Sequence, residues 1–560
     1  MSESIPSHPF RKISPLVFAL ILWGIVCARQ MNPAPKAAGT APAAPFAEAV
    51  PDTHAAPERP AVKSVILMIG DGMGVQQVSQ AVLYRQLRKP EDPELALEKL
   101  LKNHPNGLVR TSAYGDIVTD SAAAATAMAC GQKVLNEAVG IDVNGYPCET
   151  VLEKAEKLGK ATGLVSTTRI THATPGSFAA HQVFRDMENE IAEDMIEKHD
   201  IEVLLSGGIA NLIPKYRFEK TQTPMKASDL PECVGMDPAI DGLSKRGDQK
   251  DLIAAASAKG MTFVCTAEQL AGLEIAEHSK VLGLFSASVF PMVQERNAIA
   301  TIPNLETLTK KSLEILEKKK NGFFLMVEGG LIDYAGHDND AGTMLQETLD
   351  FDAAIRVAME YVEKHPDTLL IVTADHETGG FGFAYQKSPG IEQTLPSGLH
   401  YQKPYDFAPF DRFDLLMKQK KSFRAILEPI TKRLYPKEVK PDTLPYTLDM
   451  AVQDLMAAMK AHTAYELTPD QAKAVLVRKP GAKDAEPEDF PEFYVHSSIH
   501  PDLMGREVAT QNNAVWAAGT HTSTPVQAMA MGPARYAERV RGFIDNTEIA
   551  KIVEDALKGR

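Results

Sequence analysis

The chain has 560 residues, of which 44% are hydrophobic and 24% charged, a composition that is ordinary for a globular protein and sufficient for a large core. The formal net charge of -14 argues against a nucleic-acid-binding surface. The same charge does not exclude an anionic substrate, because bound divalent cations can reverse the sign of the charge locally.

The first 28 residues read as an export signal. Arg11 and Lys12 supply positive charge, and an apolar run from Ile13 to Val26 follows them. This run is shorter than the roughly 20 residues of a membrane-spanning helix, and Cys27 lies in a small-residue cleavage site. We expect an exported, periplasmic or extracellular protein. Membrane contact is expected only if the segment stays uncleaved or is lipidated at Cys27.

Residues 29–60 are dominated by alanine and proline. Such a segment cannot bury a core, so it is predicted to be an extended linker.

Four cysteines follow the predicted signal: Cys130, Cys148, Cys233 and Cys265. In an exported protein they allow three pairings, among which sequence alone cannot choose. We favour the two pairings of neighbours along the chain, Cys130 with Cys148 and Cys233 with Cys265. Free, buried thiols are the alternative.

Buried strands alternate with helices from residue 61 onward. The continuous apolar run Val65–Ile69 ends in Gly-Asp-Gly, which indicates a strand buried on both faces and closed by a turn. Three similar runs follow, at residues 163–166, 323–327 and 369–373. Helical stretches at 152–160 and 347–365 precede two of these runs. The pattern predicts an α/β fold with a largely parallel central sheet flanked by helices on both faces.

Polar residues stand where these strands end. Asp71, Glu328 and Asp375 each follow or close one of the apolar runs. In parallel sheets the ligand site lies beyond the carboxyl ends of the strands, so these three carboxylates are predicted to line one site.

Residues 381–514 break the alternation of strand and helix. Proline and aromatic residues are frequent, and only 448–462 shows clear helical spacing. We predict an inserted region that caps the site like a crown or forms an interface, with a homodimer as the corresponding assembly. Residues 61–380 and 515–560 would then form the catalytic domain. The insertion's histidines are predicted not to be metal ligands; they are His400, His462, His496 and His500.

Ser121 is the candidate nucleophile. It follows Asp120, a good helix N-cap, and precedes a run of helix-forming small residues, so it lies in a first turn where the helix dipole favours negative charge. A serine hydroxyl is a weak nucleophile unless a nearby metal lowers its pKa. Taken alone, the Asp-Ser pair is also compatible with an ordinary helix cap.

Dispersed carboxylates and imidazoles complete the candidate site. Asp333 and His337 are spaced by one helical turn, Asp375 and His376 follow a buried strand, and His521 lies in a loop rich in glycine and threonine. Taken singly, each could be a solvated pair, a turn residue or a surface histidine. Together they predict two zinc ions and a harder third cation around a serine, arranged for transfer of a phosphoryl group.

The combined motifs resemble those of alkaline phosphatases, from about residue 63 to 380 and again from about 514 to 550. The resemblance implies that Ser121 accepts the phosphoryl group and that the planar fork of Arg185 grips the phosphate. It also implies three sets of metal ligands: Asp333, His337 and His521 for one zinc; Asp71, Asp375, His376 and Ser121 for the second; and Asp71, Thr174 and Glu328 for a third ion, magnesium in most members.

Three further residues are implied to tune the site. His172 stands where members carry aspartate or histidine, and it is either a contact of the third metal or a hydrogen-bonding group behind it. Tyr334 stands where members carry lysine, histidine or an aromatic residue near the phosphate. Asp120 is expected to support Ser121 without binding metal.

The predicted function is hydrolysis of small phosphate monoesters through a phosphoserine. One alternative is a phosphodiesterase or sulfatase on the same metal scaffold, but the segment TDSAAAAT lacks the Cys/Ser-x-Pro-x-Arg motif of such sulfatases. The other alternative is an exported zinc-binding protein without turnover, which would need neither Ser121 nor Arg185.

Overall fold

The computed structural model describes residues 62–218, 223–233, 244–436, 445–477 and 499–560. The predicted signal and linker, and His496 of the insertion, lie outside these ranges. No helix in the described ranges is both long enough and apolar enough to cross a membrane.

A ten-stranded sheet forms the centre of the fold, in the order β18-β2-β17-β10-β1-β9-β3-β4-β8-β7. The strands found in the described ranges are β1 (Ser64–Gly70), β2 (Asn106–Arg110), β3 (Ala161–Arg169), β4 (Val203–Gly207), β5 (Tyr216–Phe218), β6 (Thr223–Pro224), β7 (Thr262–Val264), β8 (Val281–Leu284), β9 (Phe323–Gly329), β10 (Thr368–Thr373), β11 (Glu377–Thr378), β12 (Gly382–Phe383), β13 (Gln386–Thr394), β14 (His400–Asp406), β15 (Ala514–Val515), β16 (His521–Thr522), β17 (Val526–Met531) and β18 (Gly542–Asp545).

The central sheet is largely parallel, as predicted. Strand β17 runs antiparallel to both of its neighbours, β10 and β2, whereas the other neighbouring pairs of this sheet are parallel. The central strands β1, β9 and β10 are buried along their whole length, which explains their continuous apolar sequences.

Helices form two groups that pack on the sheet. The helices in the described ranges are α1 (Val75–Arg88), α2 (Ala96–Asn103), α3 (Ser121–Cys130), α4 (Val151–Lys157), α5 (Ala173–Ala179), α6 (Glu188–Glu193), α7 (Leu252–Ala258), α8 (Ala267–Ala271), α9 (Val293–Arg296), α10 (Leu305–Leu316), α11 (Leu331–His337), α12 (Ala341–Lys364), α13 (Arg412–Met417), α14 (Phe423–Leu434), α15 (Leu448–His462), α16 (Pro469–Leu476), α17 (Ile499–Glu507), α18 (Ala509–Asn512), α19 (Ala534–Ala537) and α20 (Asn546–Lys558). Helices α10 and α12 pack on each other and on the sheet, and α3, α4, α5 and α20 form the second group.

Helix α12 begins earlier than the sequence predicts, at Ala341 rather than at residue 347. The Asp340 carboxylate caps it by accepting a hydrogen bond from the Thr343 backbone N–H. The apolar periodicity becomes clear only after this first turn, so the sequence pattern alone did not show where the helix begins.

The four cysteines pair as favoured from the sequence, Cys130 with Cys148 and Cys233 with Cys265. Their Cα atoms lie 5.8 Å and 5.4 Å apart, which is ordinary spacing for disulfides.

The described residues of 381–514 contribute no strand to the central sheet; their helices pack on one another, and β13 and β14 form one long hairpin. Strands β12 and β15 pair antiparallel, which brings the two ends of this region together. The β13–β14 hairpin is largely exposed, and large aromatic side chains such as Tyr385, Phe407 and Phe410 are exposed beside it. A role for this region as cap or subunit interface stays a prediction.

Candidate active site

The site lies where the three central strands end. Ile69 of β1 is in register with Glu328 of β9 and with Thr373 of β10, so the carboxyl ends of these three strands lie side by side. Asp71 and Asp375 therefore lie beside Glu328, and all three carboxylates are fully buried. The three carboxylates therefore lie together at the carboxyl ends of the strands, where the sequence predicted them.

Gly72 shapes the turn after β1. Its φ is +70°, a conformation that side chains other than glycine rarely adopt, and a Cβ atom there would lie 2.7 Å from the Cα of Asp333. The Gly72 N–H donates to Oδ1 of Asp375 at 3.1 Å. Only glycine at this position lets the β1 turn approach the helix that carries Asp333.

Asp333, His337 and His521 form the first cluster that could hold a metal. Nε2 of His337 lies 3.3 Å from Oδ2 of Asp333 and 3.1 Å from Nε2 of His521. The Nδ1 atoms of the two histidines face the backbone carbonyls of Gly519 and Thr119, at 2.7 Å and 2.9 Å. A proton on each Nδ1 would donate to these carbonyls and leave both Nε2 lone pairs directed into the cluster.

Asp71, Asp375 and His376 form the second cluster, beside the candidate nucleophile. Nε2 of His376 lies 3.5 Å from Oδ1 of Asp71 and 3.3 Å from Oδ2 of Asp375. The Ser121 hydroxyl lies 3.1 Å from the same Nε2 atom and is also buried. A cation in this cluster would therefore contact the serine oxygen.

Asp71, His172 and Glu328 form the third cluster. Glu328 accepts hydrogen bonds through one oxygen from the hydroxyls of Ser166 and Thr168. The buried Thr174 hydroxyl has no hydrogen-bond partner among the described residues. The first two hydroxyls orient Glu328, and all three supply the oxygen-rich surroundings that magnesium prefers. The sequence reasoning missed the contributions of Ser166 and Thr168, which lie inside a strand and carry no motif.

Several carboxylate oxygens in these clusters accept no hydrogen bond from the described residues, among them both oxygens of Asp71, Oε1 of Glu328 and Oδ2 of Asp375. Burial, followed by the charges of the neighbouring acids, raises the pKa of Asp71 well above its usual range and that of Asp375 to about 7. Buried anionic oxygens without partners are costly. Divalent cations would remove this cost, so the donor set fits bound metal ions.

The first cluster is already arranged for positive charge. Burial alone would raise the pKa of Asp333, but the imidazoles of His337 and His521 lower it well below its usual range. Burial opposes a charged His337, yet the Asp333 carboxylate raises the pKa of His337 to about 9. The raised pKa of His337 favours a proton in this cluster in the absence of a metal ion, and metal binding would displace it.

Asp120 links the nucleophile to the arginine. Its Oδ1 caps α3 by accepting from the Ala123 N–H at 2.9 Å, and its Oδ2 accepts from the Arg185 guanidinium at 2.9 Å. Arg185 also lies 3.3 Å from Nε2 of His172, and burial with the Arg185 charge lowers the pKa of His172 well below its usual range. The Arg185 guanidinium is thereby held beside Ser121 and next to an uncharged imidazole.

Ser121 and Arg185 line a cavity of about 340 Å³ that also contains the first cluster. Tyr334 lines it too, and burial raises the pKa of its hydroxyl while the Arg169 charge opposes that rise. Arg424 lies over the Tyr334 ring, 5.4 Å from the ring centroid. Tyr334 thus lies between two cationic side chains.

Two residues of this cavity were missed from the sequence, Arg424 and Glu137. Arg424 belongs to the insertion. It follows a lysine-rich segment, and such a segment is usually a solvent-exposed charged surface. Glu137 lies in a loop and has a backbone φ of +72°. Its backbone carbonyl accepts a hydrogen bond from the backbone N–H of Arg185. Neither position carried a motif, so only the three-dimensional structure reveals them.

The histidines of the insertion that the structure describes lie outside the three clusters. His400 is exposed, His462 is half-buried, and His500 is buried and stacked on Tyr435 with ring centroids 6.1 Å apart. Each histidine is therefore expected to be dispensable for metal binding.

Substitution of these histidines tests that expectation. His400→Ala and His500→Ala should leave the zinc content per chain unchanged, as measured by plasma emission spectroscopy. His500→Ala should lower the melting temperature, since it removes a buried stacked ring. Loss of zinc from either variant would show that the insertion supplies a ligand.

Comparisons with known proteins agree on one relationship. A family model described as alkaline phosphatase matches residues 62–559. Alkaline phosphatase 3 of Bacillus subtilis is 32% identical over 524 residues, which cover 89% of each chain. The repressible alkaline phosphatase of Saccharomyces cerevisiae is 37% identical over 348 residues, 59% of this chain and 57% of that protein. The crystal structure of Thermus thermophilus alkaline phosphatase matches with a TM-score of 0.71 and 28% identity, covering 91% of this chain and 96% of that chain.

Proposed function

This chain belongs to the alkaline phosphatase family, and we propose that it hydrolyses phosphate monoesters through a phosphoserine formed on Ser121. The observation that carries the proposal is the position of the Ser121 hydroxyl. It is buried, lies 3.1 Å from His376 at the edge of a cluster of unpartnered carboxylate oxygens, and opens into the cavity that Arg185 lines.

We assign three metal ions to the three clusters. Zinc suits the two clusters of mixed nitrogen and oxygen donors, one formed by Asp333, His337 and His521 and the other by Asp71, Asp375, His376 and Ser121. Magnesium suits the oxygen-rich cluster of Asp71, Thr174 and Glu328, with His172 beside it. When bound, these ions would lower the pKa of the serine hydroxyl and offset negative charge on the leaving oxygen.

The chain's own residues then perform distinct tasks. Ser121 Oγ attacks phosphorus, and its position at the start of α3 directs the helix dipole toward the developing negative charge. The Arg185 fork binds two phosphate oxygens in the ground state and the transition state. Asp120 holds that fork in place while capping α3, so one carboxylate fixes the nucleophile and the phosphate-binding group together.

The phosphoserine must then be hydrolysed. Water attacks phosphorus from the side that the alcohol has left, and Ser121 departs as the leaving group. Two successive in-line displacements give net retention of configuration at phosphorus. Because Ser121, Arg185 and the proposed ions all contact the phosphate, several monoesters should serve as substrates.

A comparison of ester classes tests this function. The metal-loaded protein should release inorganic phosphate from several monoesters, and at equal concentration it should cleave phosphodiesters and sulfate esters far more slowly. The proposed cations and the Arg185 guanidinium suit a dianionic terminal phosphate, which a diester lacks. A preference for diesters or sulfate esters would contradict the assignment, and zinc binding without any turnover would favour a binding protein.

Two properties of the whole protein also remain proposals. Export rests on the predicted signal in residues 1–28, with membrane contact only if that segment is retained or lipidated. A homodimer rests on the predicted interface role of residues 381–514. Both can be examined with the full-length protein, by fractionation of cells and by light scattering.

A further inference from the structure

A second cavity, of about 390 Å³, lies beside the cavity of Ser121 and Arg185, which we call the phosphate cavity. One part of its lining is the segment 288–292, which precedes α9, and another is the start of α14 in the insertion with Ser422 before it. Leu331 and Tyr334 of α11 also line it. The volume falls within the range of small-molecule sites.

The walls of this second cavity are mainly apolar. Val289, Phe290 and Met292 come from the catalytic domain, Ala425 comes from the insertion, and Leu331 comes from α11. The Glu295 carboxylate also borders the cavity, but it already accepts a hydrogen bond from the backbone N–H of Ser422 at 2.8 Å. An apolar group placed here would lose contact with water on several sides at once.

The two cavities share a rim formed by Tyr334 and Arg424, which line both of them. The Arg424 side chain is 42% exposed, so the rim lies near the surface and a ligand can extend over it. Asp338 fixes the guanidinium with two hydrogen bonds, at 2.9 Å and 2.8 Å. Asp338 directly follows His337 of the first cluster, so the rim is attached to the helix that carries the proposed zinc ligands.

The charge of the rim is largely compensated. Arg424 pairs with Asp338, and the exposed Glu428 at the outer edge of the second cavity pairs with Lys432. The Arg424 guanidinium lies over the Tyr334 ring at cation–π distance, and a planar guanidinium can also lie against the face of a ligand's aromatic ring. The rim therefore favours a flat, uncharged group over a second anionic group.

From this geometry we propose that the second cavity binds the alcohol part of the phosphate monoester and selects apolar, above all aromatic, alcohols. The inference rests on the proposed function, since it requires the phosphate to lie in the cavity of Ser121 and Arg185. The ester then crosses the rim, and the organic group lies between the segment 288–292 and α14. The insertion thus contributes to substrate selection without supplying a metal ligand.

The test compares two alkyl phosphates that differ mainly in their apolar part, benzyl phosphate and methyl phosphate. Ala425→Trp would fill the second cavity from the insertion side. We expect kcat/KM for benzyl phosphate to fall about 10-fold. For methyl phosphate kcat/KM should change by less than about two-fold, because its methyl group does not reach past the rim. Competitive inhibition by inorganic phosphate should also be unchanged.

Two further variants guard against indirect effects. Ala457→Trp places the same side chain on an exposed position of α15 and should alter neither substrate's kinetics. Val289→Asn makes the lining from the segment 288–292 more polar, so it should repeat the selective loss for benzyl phosphate even if Ala425→Trp fails to fold. An equal loss for both substrates, or no loss for either, would overturn the inference.

Binding of phosphonates separates the failure of this inference from the failure of the proposed function. The wild-type protein should bind benzylphosphonate more tightly than methylphosphonate by calorimetry, and Ala425→Trp or Val289→Asn should abolish the difference. Equal binding of the two phosphonates by the wild type would overturn the cavity assignment even where both esters are hydrolysed. Selective binding without hydrolysis of either ester would instead overturn the proposed function.

Discussion

Ser121→Ala should lower kcat/KM for phosphate monoesters by about a thousand-fold or more, because it removes the attacking oxygen. The variant should still fold, since the Asp120 carboxylate that caps α3 and the alanine-rich helix remain. Metal content should be nearly preserved, because the carboxylates and imidazoles of the clusters are intact. The residual turnover would come from direct attack of water on the bound ester.

The measurement pairs steady-state kinetics with metal analysis of the same preparation. Ser112→Ala is a suitable control, since Ser112 accepts a hydrogen bond from Lys133 through its backbone carbonyl and not through its hydroxyl. Near-normal turnover in Ser121→Ala with full metal content would show that another group attacks phosphorus.

Arg185→Ala should lower kcat/KM by about 100-fold, because a bidentate, charge-assisted contact with the phosphate is lost. The contact serves the ground state and the transition state alike, so KM should rise, inhibition by inorganic phosphate should weaken, and kcat should fall as well. Zinc content should stay the same, since Arg185 belongs to none of the three clusters.

Arg185→Lys is the matched control for this arginine. It keeps the positive charge beside Asp120 but loses the planar fork, so its kcat/KM should lie between those of wild type and Arg185→Ala. Unchanged phosphate inhibition in Arg185→Ala would show that the guanidinium does not reach the substrate.

The central sheet could be predicted because its strands are buried on both faces. The apolar runs around Val65–Ile69, 323–327 and 369–373 have no polar face to obscure the pattern, and a carboxylate stands at or just after the end of each run. Parallel strands place those ends at one edge, so the approach of Asp71, Glu328 and Asp375 followed from topology alone. The coarse fold and much of the candidate cluster were therefore predictable.

The residues that the sequence did not predict act through contacts between distant segments. Arg424 reaches the phosphate cavity only because its insertion helix packs next to Asp338, 86 positions away in the chain. Ser166 and Thr168 reach Glu328 across neighbouring strands. Local periodicity carries no signal for such contacts, and neither does the spacing of motifs.

The covalent role of Ser121 is tested most directly by locating the phosphoryl group in protein quenched with acid during turnover of a phosphate monoester. Peptide mapping by mass spectrometry should place one phosphoryl group on Ser121 in the wild-type protein and none in Ser121→Ala. A stable phosphoryl group on a different residue of the active wild-type protein would contradict the account.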